Sequence, residues 1–155
     1  TILSDLKVVV GEYDLCQSDS QTAILSIERV FTHPDYNRVT QFADIMLIKL
    51  SMRVTFNEYI RPICLPDFNR WIKTVAKYSG KFTTALGWGL ADTGGGEVCA
   101  LREVQLQVFD AENCDSNVET LICAGVRGDN RRDTCAGDSG GPLQNINREN
   151  KYEVI

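Results

Sequence analysis

The chain has 155 residues, of which 43% are hydrophobic and 24% charged, values that are ordinary for a globular protein with one sizeable core. Its formal net charge of -5 argues against binding to nucleic acid or anionic membranes, which requires clustered Lys and Arg. It contains neither an apolar run of membrane-spanning length nor an N-terminal signal peptide, so we expect a soluble chain without nucleic-acid or membrane partners.

The six cysteines indicate an oxidising, extracellular setting and therefore a secreted protein. Six thiols allow about fifteen complete pairings, so the sequence alone leaves the connectivity open. A zinc site is disfavoured, because the only histidine, His33, is far from any cysteine in the sequence. We expect no metal and no cofactor.

The first part of the chain predicts three strands. A β-branched run covers Lys7–Val10, and a second candidate strand covers Ala23–Phe31. A turn follows at His33–Asn37, where Pro fixes one dihedral angle and Asp and Asn tolerate tight bends. The segment Phe42–Leu50 places Asp44 at the head of an apolar strand, where a charge is costly unless it has a partner.

The next elements suit a connector followed by a second set of strands. Tyr59–Pro66 carries two prolines around a thiol, which favours an extended connector over a central strand. Phe82–Gly89 alternates and ends in Gly-Trp-Gly, a strand and turn in which Trp88 is expected to be structural. Leu101–Val108 alternates strictly from Leu106, as in a half-buried strand.

The segment Asp133–Pro142 surrounds one hydroxyl, that of Ser139, with small or flexible residues. Such a loop leaves room for a substrate carbonyl and lets backbone N–H groups turn toward one point, which is what an acyl-transfer nucleophile requires. The segment resembles the nucleophile loop of the chymotrypsin/trypsin family of serine endopeptidases. Asp44 precedes Ser139 by 95 residues, close to the separation of about 93 between the acid and the serine in that family.

A rival pattern and a rival residue are both disfavoured by chain order. The segment also matches the G-x-S-x-G elbow of α/β-hydrolases, whose acid and His follow the serine; no His occurs in the 16 residues after Ser139. His33 is only 11 residues before Asp44, whereas the family's base precedes its Asp by about 45. His33 is therefore expected in a surface turn.

The resemblance implies an all-β fold of two antiparallel Greek-key β-barrels, with the active site between them. It covers roughly the middle two-thirds of the family domain, so both barrels are expected to be incomplete. Residues 1–58 would form part of the N-terminal barrel, 59–77 the connector and 78–155 part of the C-terminal barrel.

The resemblance also assigns roles to the site residues. Ser139 would be the nucleophile, and Asp44 would hold the catalytic His in its productive tautomer. The N–H groups of Gly137 and Ser139 would form the oxyanion hole. Asp133 would pair with a substrate Lys or Arg in the primary pocket. Asp138 resembles the residue that captures a new N-terminal ammonium when a zymogen is cut.

By the same resemblance, Cys114 would pair with Cys123. Cys16 and Cys99 could pair with each other, and the partners of Cys64 and Cys135 are left open.

The loop before the second strand can hold calcium in this family, and here Glu12, Asp14 and Asp19 offer oxygen ligands. However, Cys16 interrupts the loop, and Thr22 stands where the last acidic ligand is expected. A solvated loop is therefore the prediction.

The function implied is a secreted serine endopeptidase, made as a zymogen, that cleaves proteins after Arg or Lys and is open to protein protease inhibitors. The catalytic His would fall just before Thr1, so the fragment alone is expected to be inactive. The alternative is a non-catalytic homologue that uses the barrels as a protein-binding scaffold. Retention of Ser139, Asp44 and Asp133 together favours the enzyme.

Overall fold

The computed structural model describes residues 5–17, 20–66, 77–91, 98–110, 121–128 and 133–155. Across these ranges the strands form two antiparallel sheets, so the fold is all-β, as predicted. The chain divides into two compact units, with the boundary after Pro62. The predicted connector 59–77 spans that boundary.

The first unit contains a three-stranded sheet in the order β1-β2-β3. Its strands are β1 (Lys7–Val10), β2 (Ala23–Thr32) and β3 (Met46–Leu50). Strand β1 has the predicted bounds, since consecutive valines favour extended backbone. Strand β3 begins later than expected, because Ala43 has a φ of 53° and the Ile45 N–H bonds to its carbonyl at 2.8 Å, which makes a tight turn.

The described part of the first unit has a small core. Leu25 is 8% exposed and Ile60 is 9% exposed, and they are its buried apolar side chains. Gly11, with φ +73°, lies against Ile60 and Gln21: an added Cβ would be 2.7 Å from the Gln21 carbonyl and 2.9 Å from the Ile60 side chain. A left-handed glycine thus allows the chain after β1 to lie close to both residues.

The second unit contains a five-stranded sheet in the order β6-β5-β4-β7-β8. Its strands are β4 (Phe82–Gly87), β5 (Arg102–Val108), β6 (Ala124–Gly125), β7 (Leu143–Ile146) and β8 (Tyr152–Val154). Strand β4 is central and pairs with both neighbours, with Ala85 opposite Val104 on one side and Leu143 on the other. The core lies along β4 and β5, where Ala85, Leu106 and Val108 are buried.

Neither sheet closes into a barrel within the ranges that the structure describes. Strands β1 and β3 each pair only with β2, and β6 and β8 are the edges of the larger sheet. The open sheets agree with the prediction of two antiparallel barrels that are both incomplete.

The start of the second unit covers one of these edges. The Cys64 N–H donates to the Tyr152 carbonyl at 3.1 Å, and the Val154 N–H donates to the Cys64 carbonyl at 3.0 Å. Cys64 therefore lies as a single parallel bridge beside Glu153. This edge pairing agrees with the prediction that a segment carrying two prolines is an extended connector and not a central strand.

A buried polar cluster joins β8 to the backbone before β4. Tyr78, 2% exposed, donates its hydroxyl to the carboxylate of Glu153, which is 8% exposed. The ammonium of Lys77 lies 2.7 Å from the Tyr78 oxygen and 3.0 Å from the Glu153 carboxylate. Burial raises the pKa of Tyr78, and the Tyr78 hydroxyl, with Lys77, lowers the pKa of Glu153. The hydrogen bond to Tyr78 and the nearby Glu153 carboxylate raise the pKa of Lys77.

Within the part of the chain that the structure describes, no helix has the length and hydropathy needed to span a membrane.

Candidate active site

Two successive turns present Ser139. The Asp138 N–H bonds to the Cys135 carbonyl at 3.0 Å, and the Gly141 N–H bonds to the Asp138 carbonyl at 2.9 Å. Gly137 and Gly140 have φ values of 99° and 88°, in the left-handed region that favours glycine. Ser139 lies between these glycines and is exposed. The small residues noted in the sequence are thus what the turns require.

Asp138 ties this loop to the turn that follows β4. One carboxylate oxygen of Asp138 accepts the Gly89 N–H, and the other accepts the Cys135 N–H, each at 2.8 Å. A backbone bond from Leu90 N–H to the Ala136 carbonyl, 2.9 Å long, runs alongside. Three bonds therefore fix the residues that precede the serine.

A cavity of about 300 Å³ opens beside the serine loop. Ser139 and Asp133 both line it, together with Thr134 and Asp138. Its other walls are apolar and come from β4, β5 and the segment before β6, including Ala85, Leu106 and Ile122. Asp133 is exposed, and one of its carboxylate oxygens accepts the Thr134 N–H at 2.8 Å. One cavity is thus lined by both the Ser139 hydroxyl and the Asp133 carboxyl group.

Asp44 belongs to the first unit and is exposed in the loop between β2 and β3. That loop is ordered by its own hydrogen bonds: the side-chain oxygen of Asn37 accepts the N–H groups of Val39 and Thr40 at 2.9 and 3.1 Å. The His33 N–H bonds to the Ile45 carbonyl at 3.2 Å and closes the base of the loop.

His33 is exposed in the predicted turn, and its Nδ1 accepts the Asp35 N–H at 3.1 Å. In a catalytic triad the Nδ1–H of the histidine donates to the acid. A nitrogen that accepts a backbone N–H carries no proton to donate. The structure therefore supports the turn interpretation of His33.

The cysteines fall into two groups. Cys16, Cys99 and Cys123 are disulfide-bonded. Among the described cysteines, Cys64 and Cys135 are free thiols. Cys114 lies outside the described residues, so its pairing with Cys123 stays a prediction.

The acidic loop of the first unit uses its carboxylates internally. The two oxygens of Glu12 accept the Tyr13 N–H at 2.9 Å and the Thr22 hydroxyl at 3.0 Å, and those of Asp14 accept the Cys16 N–H at 3.0 Å and the Gln17 amide at 2.6 Å. Asp19, the third predicted ligand, lies outside the described residues. The carboxylate oxygens of Glu12 and Asp14 thus accept hydrogen bonds from donors of the same loop.

Sequence reasoning missed the partner of Asp138 and the apolar walls of the cavity. The available signal was the pair of glycines around Trp88 at the end of a predicted strand, because glycine in such a place often marks a close backbone approach.

An all-β scaffold that carries an exposed serine on a glycine-supported loop, beside a cavity with a carboxylate, is the arrangement expected of a serine hydrolase built on antiparallel sheets. The comparison with known families agrees with this class. The chain belongs to the Trypsin family of serine proteases, whose family model matches residues 2–155.

Curated proteins similar to this chain include other members of the family. Serine protease filzig of Drosophila melanogaster is 31% identical over 98% of the chain, and vitamin K-dependent protein C of Oryctolagus cuniculus is 37% identical over 89% of it. Ovochymase-2 of Mus musculus is 32% identical over 96% of the chain. The chain spans 9%, 32% and 25%, respectively, of the lengths of these relatives.

Proposed function

We propose that the protein containing these residues is a serine endopeptidase that cleaves other proteins after Arg or Lys. The observation that carries this proposal is that Ser139 and Asp133 line the same cavity. The family membership and the geometry of the serine loop support the reaction type. The position of Asp133 supports the cleavage preference.

The chemistry of the cavity suits a long cationic side chain. The apolar walls at Leu106 and Ile122 would pack against the methylene groups of a substrate Lys or Arg. The Asp133 carboxylate has about four acceptor positions, of which the Thr134 N–H takes one. The others can accept charge-assisted hydrogen bonds from a guanidinium or ammonium group.

In the proposed reaction, Ser139 Oγ attacks the scissile carbonyl after losing its proton to a histidine, which Asp44 orients. The N–H groups of Gly137 and Ser139 stabilise the resulting oxyanion, and each such donor contributes about 10²–10³ in rate. The engaged Nδ1 of His33 argues against that residue as the base, and it is the only histidine of these 155 residues. We therefore infer that this polypeptide alone does not hydrolyse peptides.

The proposal extends to secretion and activation. Disulfide bonds at Cys16, Cys99 and Cys123 support an oxidising compartment. The Asp138 carboxylate accepts two backbone N–H bonds, which leaves acceptor positions for the ammonium of a newly cut N-terminus. The protein would then be a secreted zymogen whose partners are protein substrates and protein inhibitors of proteases.

The second candidate is a non-catalytic homologue that binds proteins through the same scaffold. The presence of Ser139, Asp44 and Asp133 together supports the enzyme over this candidate, because a binding scaffold has no chemical need for all three.

The test uses the full-length protein after activation by limited proteolysis. We expect a fluorophosphonate probe to label Ser139, and peptide amides with Arg or Lys to be cleaved in preference to those with Phe or Leu. Ser139→Ala should abolish labelling, whereas Ser51→Ala, an exposed serine of the first unit, should leave it unchanged.

Asp133→Ser isolates the cleavage preference. It should lower kcat/KM for Arg and Lys substrates by about 10²–10³ because it removes the partner of a desolvated charge, while probe labelling persists. A folded, activated protein that resists the probe would instead indicate the binding homologue. Labelling with equal cleavage after Phe would refute the Arg/Lys preference alone.

A further inference from the structure

Gly87 and Gly89 lie against the carboxylate of Asp138. A Cβ added to Gly87 would be 1.9 Å from an Asp138 oxygen, and one added to Gly89 would be 2.5 Å from both the carboxyl carbon and an oxygen. Neither glycine has a φ in the left-handed region. Glycine is thus required at both positions for space and not for backbone angle.

The same turn holds the segment before Ser139 by several contacts. The Gly89 N–H donates to Asp138, whose other oxygen accepts the Cys135 N–H. The Leu90 N–H bonds to the Ala136 carbonyl at 2.9 Å. A Cβ on Gly137 would lie 3.1 Å from the Cα of Gly89, so the two backbones are nearly in contact.

Displacement of the carboxylate would remove the two bonds at once, because one side chain accepts both. Asp138 is covalently adjacent to Ser139, and Gly137 precedes it, so both N–H groups assigned to the oxyanion hole belong to the segment that the carboxylate holds. A side chain at position 87 or 89 would clash with the Asp138 carboxylate. That carboxylate cannot move away without losing its bond to the N–H of Gly89 or of Cys135.

We propose that Gly87 and Gly89 are positioning residues for the nucleophile: together they form a seat for the Asp138 carboxylate and thereby fix residues 135–139. The catalytic consequence rests on the proposed function. The structural consequence does not rest on it: when a side chain fills the seat, the hydrogen-bonded amides of Cys135 and Asp138 lose protection from exchange.

The first test measures amide hydrogen exchange on the full-length protein. In Gly89→Ala, the hydrogen-bonded amides of Cys135 and Asp138 should exchange about 10- to 100-fold faster, the range expected for losing hydrogen bonds to a charged group. Gly125→Ala is the matched control, because that glycine also lacks a left-handed φ and an added Cβ there meets only the ring of Phe109, at 3.3 Å. Unchanged protection in Gly89→Ala would overturn the proposal.

Two further variants separate the seat from general destabilisation. In the Asp138→Ala background the obstacle is gone, so Gly89→Ala should change the exchange of the amides at positions 135 and 138 less than twofold; a large additional effect there would also overturn the proposal. Asp138→Asn keeps the size of the side chain but replaces one acceptor by a donor, so it should loosen either Gly89 or Cys135 even if Gly89→Ala fails to fold.

The catalytic readout follows on the same proteins. Gly89→Ala should slow fluorophosphonate labelling of Ser139 by about 10- to 100-fold, and the double variant with Asp138→Ala should be no slower than Asp138→Ala alone. If the wild-type protein never reacts with the probe, the proposed protease function fails, while the exchange measurements still decide the role of the glycines.

Discussion

The hydroxyl of Tyr78 donates a hydrogen bond to the carboxylate of Glu153, 75 positions later in the chain. Both side chains are buried, and the ammonium of the half-exposed Lys77 is within hydrogen-bond distance of both. The cluster thereby fastens β8 to the backbone before β4. A buried carboxylate is stabilising only while its partners remain in place.

Removing the Tyr78 hydroxyl should destabilise the second unit. In Tyr78→Phe the Glu153 carboxylate stays buried and keeps its bond to the Lys77 ammonium but loses the one to the hydroxyl, so we expect a loss of about 1–3 kcal/mol in the free energy of unfolding. Urea unfolding followed by tryptophan fluorescence measures this. Tyr152→Phe is the control, because Tyr152 is 52% exposed, and its effect should stay within about 0.5 kcal/mol. Equal losses in the two variants would contradict the role of the bond.

Stability should fall in acid because of Glu153. The Tyr78 hydroxyl and Lys77 lower its pKa in the folded state below the ordinary value of 4.5. A lowered folded pKa means that the contribution is complete above 4.5 and is lost as the pH falls through the folded pKa. Unfolding free energies measured down to about pH 2 should show this loss, and Glu153→Gln should flatten that part of the profile. The same slope in Glu153→Gln would assign the loss to other carboxylates.

Gly11→Ala should destabilise the first unit more than an otherwise similar substitution. Gly11 and Gly80 have φ values of 73° and 75°, so both replacements carry the same backbone strain. Only at Gly11 does the new Cβ clash, 2.7 Å from the backbone oxygen of Gln21, whereas Gly80 has no heavy atom within 4 Å. We expect an additional loss of about 1–3 kcal/mol at Gly11, measured by thermal unfolding. A smaller effect at Gly11 than at Gly80 would refute the packing argument.

A new disulfide should form between β4 and β7. The register that pairs Thr84 with Gln144 places Thr83 opposite Asn145, and facing Cα atoms of antiparallel strands are about 4.5–5.5 Å apart, within disulfide range. Thr83→Cys with Asn145→Cys would close a loop of 62 residues (145 minus 83), worth up to about 4 kcal/mol.

The control for this crosslink is Thr83→Cys alone. It loses the hydrogen bond from the Thr83 hydroxyl to the Leu106 carbonyl and should cost about 1 kcal/mol. Peptide mapping without reductant identifies the bond, and reduction should remove the gain. A free thiol at position 83 in the oxidised double variant would show that the register does not bring the two side chains into range.

Local sequence predicted the elements whose cause is local. The consecutive valines of β1 predicted its bounds. The alternation of apolar and polar residues from Leu106 predicted which side of β5 is buried. Strand β3 starts late because Ala43 is left-handed, and alanine carries no sequence signal for that conformation. Strands β7 and β8 have four and three residues, too few for a periodic pattern, and pairing with β4 and Cys64 determines them.

Some features of the candidate site could likewise be predicted from local sequence, and others could not. The small residues around Ser139 indicated its turns, and Asp133 could be placed by its spacing from the serine. The contact of Asp138 with Gly87 and Gly89 could not be predicted from the sequence. The bond from Gly89 joins residues 49 positions apart and depends on how β4 pairs with β7. Sequence spacing indicates which residues share a short loop, but sheet register determines which distant glycine the carboxylate meets.

The bridge between Cys64 and Glu153 also bears on how the second unit folds. It joins positions 89 residues apart (153 minus 64), and a contact of such long range forms only after the intervening chain has lost much of its freedom. Strand β8 can therefore complete its hydrogen bonding only when Cys64 has been brought beside Glu153. We expect the edge at which the chain enters this unit to be among the last parts to become ordered, because its contacts are long-range, and antiparallel topologies of this kind fold in about milliseconds to seconds.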